Sequence, residues 1–440
     1  MSQSTKERVA RPAPERGNPG VEVADAEVLA FRPAFEGSSP LDQLVQEGAR
    51  QMLQAAVDAE VEAFVVKHAT RCDGQGRRLV VRNGHLPQRE VLTGAGPLPV
   101  RQPRVRDNSP DPESRVRFTS SILPAYLRRS KSLDELIPWL YLKGISTGDF
   151  SEALQALLGE EAKGLSANVV VGLKEQWSTE YEDWGRRDLS GKQYAYFWAD
   201  GIHAQIRLES PENNKQCILV LMGATADGKK ELIAVVDGYR ESEQSWYELL
   251  MSLKQRGLVL EPKLATGDGA LGFWAALRKV YPSTREQRCW VHKTANVLNN
   301  MPKGVLPRAK ADLHQIWMAE TRAAANQAFD AFLEKYQAKY QTACECLKKD
   351  RDVLLTFYDF PAEHWIHLRT TNPIESTFST IRLRHRRTKG SGTRRTSLAM
   401  MFKLAQSAEK HWKRLHGHEL VAHVLEGKTY VDGVLQEVAA

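Results

Sequence analysis

No stretch of this 440-residue chain approaches the roughly eighteen consecutive apolar residues of a membrane-spanning helix, so no membrane partner is expected. Cysteine is scarce. Cys72, Cys217, Cys289, Cys344 and Cys346 are an odd, scattered set, unlike the framework of a secreted disulfide-rich domain. No signal-peptide-like segment precedes Arg11, and a reducing cytoplasm is the expected setting. Acids are also missing from one region: between Arg382 and Arg414, Glu409 is the only acidic residue among crowded cations. That local absence says more than the overall charge of +7, and it marks a surface suited to a polyanion. What is present is ordinary for a folded protein. With 42% hydrophobic and 26% charged residues, this length has room for two or three cores.

Residues 1–38 mix Pro, Gly, Glu and Arg without periodicity and are expected to form a disordered leader. Residues 39–188 read as an N-terminal DNA-binding region in three parts. Apolar residues from Leu44 to Val65 recur at three and four, predicting a helix that ends near His68. The glycine-punctuated stretch that follows reads as small strands in a basic module. Its arginines, Arg101, Arg104 and Arg106 among them, either touch phosphate or form a solvated face. Leu133 to Trp184 gives short helices, broken near Gly144 to Gly148 and restarted after a Ser166 cap. That spacing fits a helix-turn-helix or a plain bundle.

The texture changes at Gly191, and residues 189–301 read as the first part of an α/β unit. A meander of three strands is followed by a helix through Trp246, Leu249, Leu250 and Leu253, a strand stopping at Asp268-Gly269, a helix from Leu271, and a strand with Cys289 and His292 at its end. Residues 302–366 are all-helical in pattern, an insertion in that unit. Residues 367–426 resume it with a catalytic helix and basic helices, and 427–440 form a tail.

The chemistry centres on His367 to Gly390. Asn372 suits an N-cap and Pro373 the first helical position, so a helix starts here with Ile374, Phe378 and Ile381 as its core stripe. Glu375 and Arg382, seven apart, border that stripe. Glu375 has two readings: a capping-box residue reaching back to a backbone N–H, or a site acid. Asp200 and Asp268 each end an apolar strand and precede a glycine, a pairing that is usually only a turn. Strand ends in an open sheet face a crevice, so two aspartates there and a glutamate from a packed helix make an oxygen-lined, highly charged pocket. Such a pocket calls for Mg²⁺. Two ions clamp the attacking and leaving oxygens of a phosphoryl displacement, as in nucleases, polymerases and transposases.

The order Asp200-Gly201 after an aromatic strand, then TGDGALG, RCWVHK, a helical block and TTNPIESTFSTIRLR resembles the Mutator-type DDE transposases of bacterial insertion sequences. RNG, LTGAGPLPVRQPRVR and YLKGISTGDFSEALQALLG extend the resemblance from about Leu41 to His411. It implies an RNase H-like core interrupted by a helical insertion, with Asp200, Asp268 and Glu375 as ligands of two Mg²⁺ ions, Mn²⁺ substituting. The family's Cys-x-x-His element maps to Cys289 and His292, and its basic residue to Arg382. One departure stands out: Ser391 to Arg395 replaces the aromatic-Pro pair that often follows the basic run.

From this comes an expected activity: binding of terminal inverted repeats in double-stranded DNA, cleavage that frees a 3′-OH, and attack of that hydroxyl on target DNA. Two ends held together imply a homodimer or higher oligomer, working in the bacterial cytoplasm at the nucleoid. The rivals are a structure-selective nuclease that cuts without joining, and a catalytically silent DNA-binding regulator. Arg384, Arg386, Arg387 and Lys389 are the expected phosphate contacts beside Arg382. Cys289 and His292 lack two further ligands at zinc spacing; they are expected beside the acids or against DNA, with simple core packing as the alternative, and Asn372 is expected nearby. Trp317 and Trp365 are core aromatics or platforms for an unpaired base.

Overall fold

Ser39 opens the first helix with a capping box: its hydroxyl accepts from Asp42 N–H, and the Asp42 carboxylate accepts from Ser39 N–H. The computed structural model describes residues 39–145, 150–158, 167–210, 214–238, 240–269, 271–387 and 392–436. The leader expected over 1–38, the turn around Ser146 to Gly148, the Ser166 cap and Lys389 lie outside them. Contacts divide the chain into two units, Met1–Ile137 with Gly148–Gly164, and Pro138–Thr147 with Leu165–Ala440.

In the first unit α1 (Pro40–Lys67) follows the apolar periodicity and buries Val57, Val61 and Val65. Val57 packs with Val91, Val100 and Leu123 in a small core. The glycine-punctuated stretch is strand, as its pattern predicts. β1 (Val80–His85) pairs antiparallel with β4 (Pro103–Asp107), and β2 (Arg89–Thr93) with β3 (Gly96–Val100). Several of its arginines are structural: Arg82 pairs with Asp58, Arg77 with Asp73, and Arg89 donates to the Leu123 and Pro124 carbonyls. Arg101, Arg104 and Arg106 are exposed. Two helices follow: α2 (Lys131–Lys143), whose residues from Pro138 on are counted with the second unit, and α3 (Phe150–Leu158).

The second unit holds α4 (Ala167–Arg186), which the sequence pattern groups with the N-terminal region. Its aromatic face explains the difference: Tyr181 and Trp184 pack on Phe402, ring centroids 5.5 and 4.8 Å apart. Next comes a five-stranded mixed sheet. β5 (Tyr194–Gln205), β6 (Lys215–Thr225) and β7 (Lys230–Gly238) form the antiparallel meander; β8 (Leu264–Gly267) runs parallel to β5, and β9 (Arg285–Arg288) parallel to β8, giving the order β7-β6-β5-β8-β9. The strands are buried almost end to end, which is why they read as continuous apolar runs rather than alternations.

One face of the sheet packs on α5 (Glu243–Gln255) and α6 (Leu271–Val280), and Phe197, Ala199, Leu219, Leu221, Trp246, Leu250, Trp274 and Leu277 share that core. The last strand is shorter than expected. It stops at Arg288, and Cys289 begins α7 (Trp290–Leu298), so His292 is helical rather than at a strand end. The cause is burial: Trp290, Lys293 and Val297 point inward at helical spacing. α8 (Leu306–Trp317), α9 (Arg322–Tyr336) and α10 (Gln341–Lys348) bear out the helical pattern after Pro302. α11 (Asn372–Arg387) and α12 (Arg394–Glu409) complete the helices that matter here, and Tyr430–Val431 pairs with Val434–Leu435 in a terminal hairpin.

Gly272 permits the close meeting of α5 and α6, since a Cβ there would lie 2.5 Å from the Glu241 carbonyl oxygen and 2.6 Å from Glu243 N. Gly172, in α4, has nothing within 4 Å of that position. Gly172→Ala should stabilise the protein by about 0.5–1 kcal/mol through helix propensity. Gly272→Ala should destabilise it despite the same propensity gain, and urea unfolding of the pair reads the difference directly.

Candidate active site

Register builds the site. Ala199 of β5 pairs with Gly267 of β8 in parallel, and Gly267 pairs with Arg288 of β9, so Asp200, Asp268 and Cys289 are equivalent positions one step beyond. Adjacent strands are about 4.8 Å apart, which sets the two aspartates side by side at the carboxyl ends of their strands. Cys289 N–H donates to Gly267 O at 2.8 Å, closing the row. The Asp268 backbone is held from two sides: its carbonyl accepts from Trp274 Nε1 at 2.9 Å and from Arg288 Nη1 at 2.8 Å.

The third acid arrives from across the sheet. On the face opposite the α5–α6 core, Tyr196 Oη meets His364 Nδ1 at 2.7 Å, Trp198 Nε1 donates to His367 O at 2.9 Å, and Thr266 Oγ1 donates to Leu368 O at 3.0 Å. Arg369 O then accepts from Trp290 N–H, and Thr371 N–H donates to Cys289 Sγ at 3.3 Å. This run of bonds lays the segment over the strand ends and starts α11 beside them. Ile374, Phe378 and Ile381 are the buried stripe, as expected.

The cap differs from the sequence reading. Asn372 is already inside α11, and Thr371 O accepts from Ile374 N–H and Glu375 N–H, so Thr371 takes the capping place. Asn372 N–H turns to Thr370 Oγ1 at 3.3 Å. The Glu375 carboxylate accepts from Thr371 Oγ1 at 3.4 Å and stands 3.5 Å from His292 Nε2.

His292 is the common neighbour of all three acids. Its imidazole is raised to about 9, chiefly by its hydrogen bond with Cys289, with the charges of Asp200 and Asp268 adding. Asp200 is 9% exposed, and burial pushes its carboxyl up to about 7; His292 opposes this, Asp268 and Glu241 reinforce it, and the Gly201 N–H bonded to Oδ1 at 2.8 Å opposes it. A buried carboxyl among like charges is costly to ionise unless a cation joins it. The donor set, carboxylate oxygens of Asp200, Asp268 and Glu375, fits a hard dication.

Other expected residues lie elsewhere. Arg382 is exposed, its guanidinium 5.8 Å from the Phe378 ring centroid, and it shares α11 with Arg384, Arg386 and Arg387. Trp365 packs edge-on against Phe357 and Tyr358, with its N–H on Phe360 O. Trp317 packs against His314 beneath the Arg369 guanidinium. Neither indole joins the acid row. Three neighbours escaped sequence reasoning: Arg288, Thr371 and Glu241, a fourth acid whose charge reaches Asp200. Arg288 and Thr371 lie inside the segments RCWVHK and TTNPIESTFSTIRLR without being singled out there, and Glu241 is an acid placed directly before the Ser242 helix cap.

Fold and site together define a class: a mixed α/β protein with a carboxylate row at the ends of parallel strands and a glutamate helix docked over it. The chain belongs to the Mutator family of transposases, whose model matches residues 25–414. It is 50% identical over 305 residues to the transposase for insertion sequence element IS6120 of Mycolicibacterium smegmatis, covering 69% of this chain and 93% of that one. With the transposase for IST2 of Acidithiobacillus ferrooxidans it shares 51% identity over 292 residues, 64% of this chain and 95% of the relative. With that for IS256 in transposon Tn4001 of Staphylococcus aureus it shares 29% over 307 residues, 69% and 75%.

The gap between the ordinary 3.8 and about 7 for Asp200 corresponds to roughly 4 kcal/mol of ionisation cost in the ion-free fold. Because the folded carboxyl ionises later than the unfolded one, ion-free stability should fall as pH climbs from about 4 to about 7, and the loss is complete above that. Asp200→Asn removes the ionisation. Urea melts in chelator should show the variant more stable than wild type at pH 8, by up to that amount, with the two converging near pH 4.

Proposed function

We propose that this protein binds the terminal inverted repeats of its own insertion sequence, hydrolyses a phosphodiester to free a 3′-OH, and joins that end to target DNA. The observation that supports this most directly is the register that sets Asp200 beside Asp268, with Glu375 reaching the same histidine. The strand order, an antiparallel meander continued by two parallel strands, supports an RNase H-like core. Helices α8 to α10, lying between its last strand and the glutamate helix, read as the insertion.

Asp200, Asp268 and Glu375 would hold two Mg²⁺ ions, with Mn²⁺ as a substitute. When bound, these supply Lewis-acid stabilisation of the phosphoryl oxygens and a more acidic water. The chain's own residues do the rest. Arg288 and Trp274 keep the Asp268 backbone still, Thr371 orients Glu375, and His292 supplies the charge that balances the acids. Arg382 presents an exposed guanidinium about two turns along the same helix, placed for phosphate, and Arg384, Arg386 and Arg387 follow it in α11. In the first unit, exposed Arg101, Arg104 and Arg106 supply further phosphate contacts, and repeat recognition falls to that region. Two ends in one reaction call for a dimer or larger assembly on DNA at the nucleoid.

Labelled repeat ends, target DNA and Mg²⁺ test this in one assay. Wild type should cut and join; cutting without joining would indicate a nuclease, and binding alone a regulator. Glu375→Gln keeps shape and removes a charge, so it should bind ends like wild type while cleavage and joining both fall to background. An active Glu375→Gln protein would remove this residue from the site.

Arg382→Ala should weaken binding to every sequence alike and lower the salt-dependence slope by about 0.9, one phosphate contact. Affinity measured from low to high salt decides it. An unchanged slope would assign Arg382 to the surface alone.

A further inference from the structure

Beside the acid row, the α5–α6 side of the sheet carries a second cluster of ligating side chains, to which no role in the DNA chemistry has been given. His203 on β5 and Cys217 on β6 are direct antiparallel partners, so their side chains project to one face. Glu241, in the segment leading to the Ser242 cap of α5, bends over the same spot. Its Oε1 lies 3.6 Å from His203 Nε2, and the ligand atoms of all three residues lie within 4.8 Å of one another. Among the described residues, this is the grouping of three or more His, Cys, Asp and Glu close enough to share an ion.

Gly201 makes the cluster possible. A Cβ there would fall 2.3 Å from Glu241 Oε1 and 2.6 Å from its carboxyl carbon, so any larger residue would push the carboxylate off the strand. The three ligands are graded in depth: Cys217 is 4% exposed and belongs to the apolar core, the Glu241 side chain is 22% exposed, and that of His203 is 64% exposed. Two strands and a helix-capping segment therefore converge on one point, with Cys217 on the side of the apolar core and His203 on the side of solvent.

We propose that His203, Cys217 and Glu241 form a binding site for a thiophilic dication of the zinc class, with its fourth position open to water. The donor types decide the ion. Imidazole and thiolate select Zn²⁺ over Mg²⁺, which takes oxygen and keeps its waters. On binding, the Cys217 S–H bond breaks, a sulfur–metal bond forms, and the proton leaves to solvent. Gly201, His203 and Cys217 lie on the α5–α6 side of the sheet and Asp200, one strand position from Gly201, on the other, while the Glu241 charge is felt at both places. The cluster is separate from the Cys289–His292 pair, whose thiol accepts from Thr371. A bound ion would tie the β5–β6 ladder to the start of α5.

The test needs no DNA. Full-length protein stripped by chelator is titrated with Co²⁺ alone, then with Zn²⁺. Expected is a thiolate-to-cobalt charge-transfer band that saturates at one equivalent and is lost when Zn²⁺ is added. Cys217→Ser should abolish the band, and His203→Ala and Glu241→Gln should each require more cobalt to reach it. His203 is mostly exposed, so its variant should keep the wild-type melt and tryptophan emission, which guards against misfolding as the cause. Cys289→Ser should keep the band. No band in wild type, a band that survives Cys217→Ser, equal cobalt affinity in His203→Ala, or loss of the band on Cys289→Ser alone would each overturn the proposal. Because the readout is metal binding, a failed strand-transfer assay leaves this result standing.

Discussion

The second unit depends on one set of bonds, those from the far face of the sheet to the backbone between His364 and Thr371. Trp198 of β5 and Thr266 of β8 are register partners on that face, Tyr196 lies two residues earlier on β5, and each spends its polar atom on this segment. All three side chains are buried, so an unpaired atom at any of them would cost about 1–3 kcal/mol. That cost leaves the segment little freedom to lie elsewhere. Since α11 begins where the segment ends, the place of Glu375 relative to the strand ends follows from hydrogen bonds made several residues earlier.

The two faces of the sheet do different work because their side chains differ by one rank. Phe197 and Ala199 join the apolar core under α5 and α6; Tyr196, Trp198 and Asp200 point the other way. A one-residue slip in β5 would exchange these sets, putting Asp200 into the core and Phe197 under the His364 segment. Register is thus held by burial on one face and by hydrogen bonds on the other. Glycines relieve the crowding where elements meet: Gly201 gives way to Glu241, and Gly272 lets the ends of α5 and α6 approach.

The acids are tolerated for related reasons. Asp200 sits in a site that resists ionisation, and the countercharge comes from His292, held by Cys289 and by proximity to Glu375. Arg288 clamps the Asp268 backbone carbonyl, with its guanidinium 4.7 Å from the Trp274 ring centroid. Rigid backbones beneath mutually repelling carboxylates would suit the cations proposed for this site, since the acids cannot relax apart.

Much of this was legible in the chain. Continuous apolar strands, each stopped by Asp-Gly, announced Asp200 and Asp268, because a buried strand ending in an acid and a glycine leaves the acid at a sheet edge. The Ile374, Phe378 and Ile381 stripe announced a packed helix with Glu375 on its border. Periodicity was less able to place ends: RCWVH alternates well enough for a strand, yet Trp290 is buried as the first residue of a helix, and Asn372 looked like a cap that Thr371 in fact provides. Sequence by itself determined which residues were acidic, which runs would be buried and where helices would form, since those follow from local chemistry. Tertiary structure alone decided that Asp200 and Asp268 share a rank, that Glu375 stands beside His292, and that Glu241 reaches His203 and Cys217. Each of those is a meeting of segments far apart in the chain, set by strand register and side-chain depth, and no local pattern encodes it.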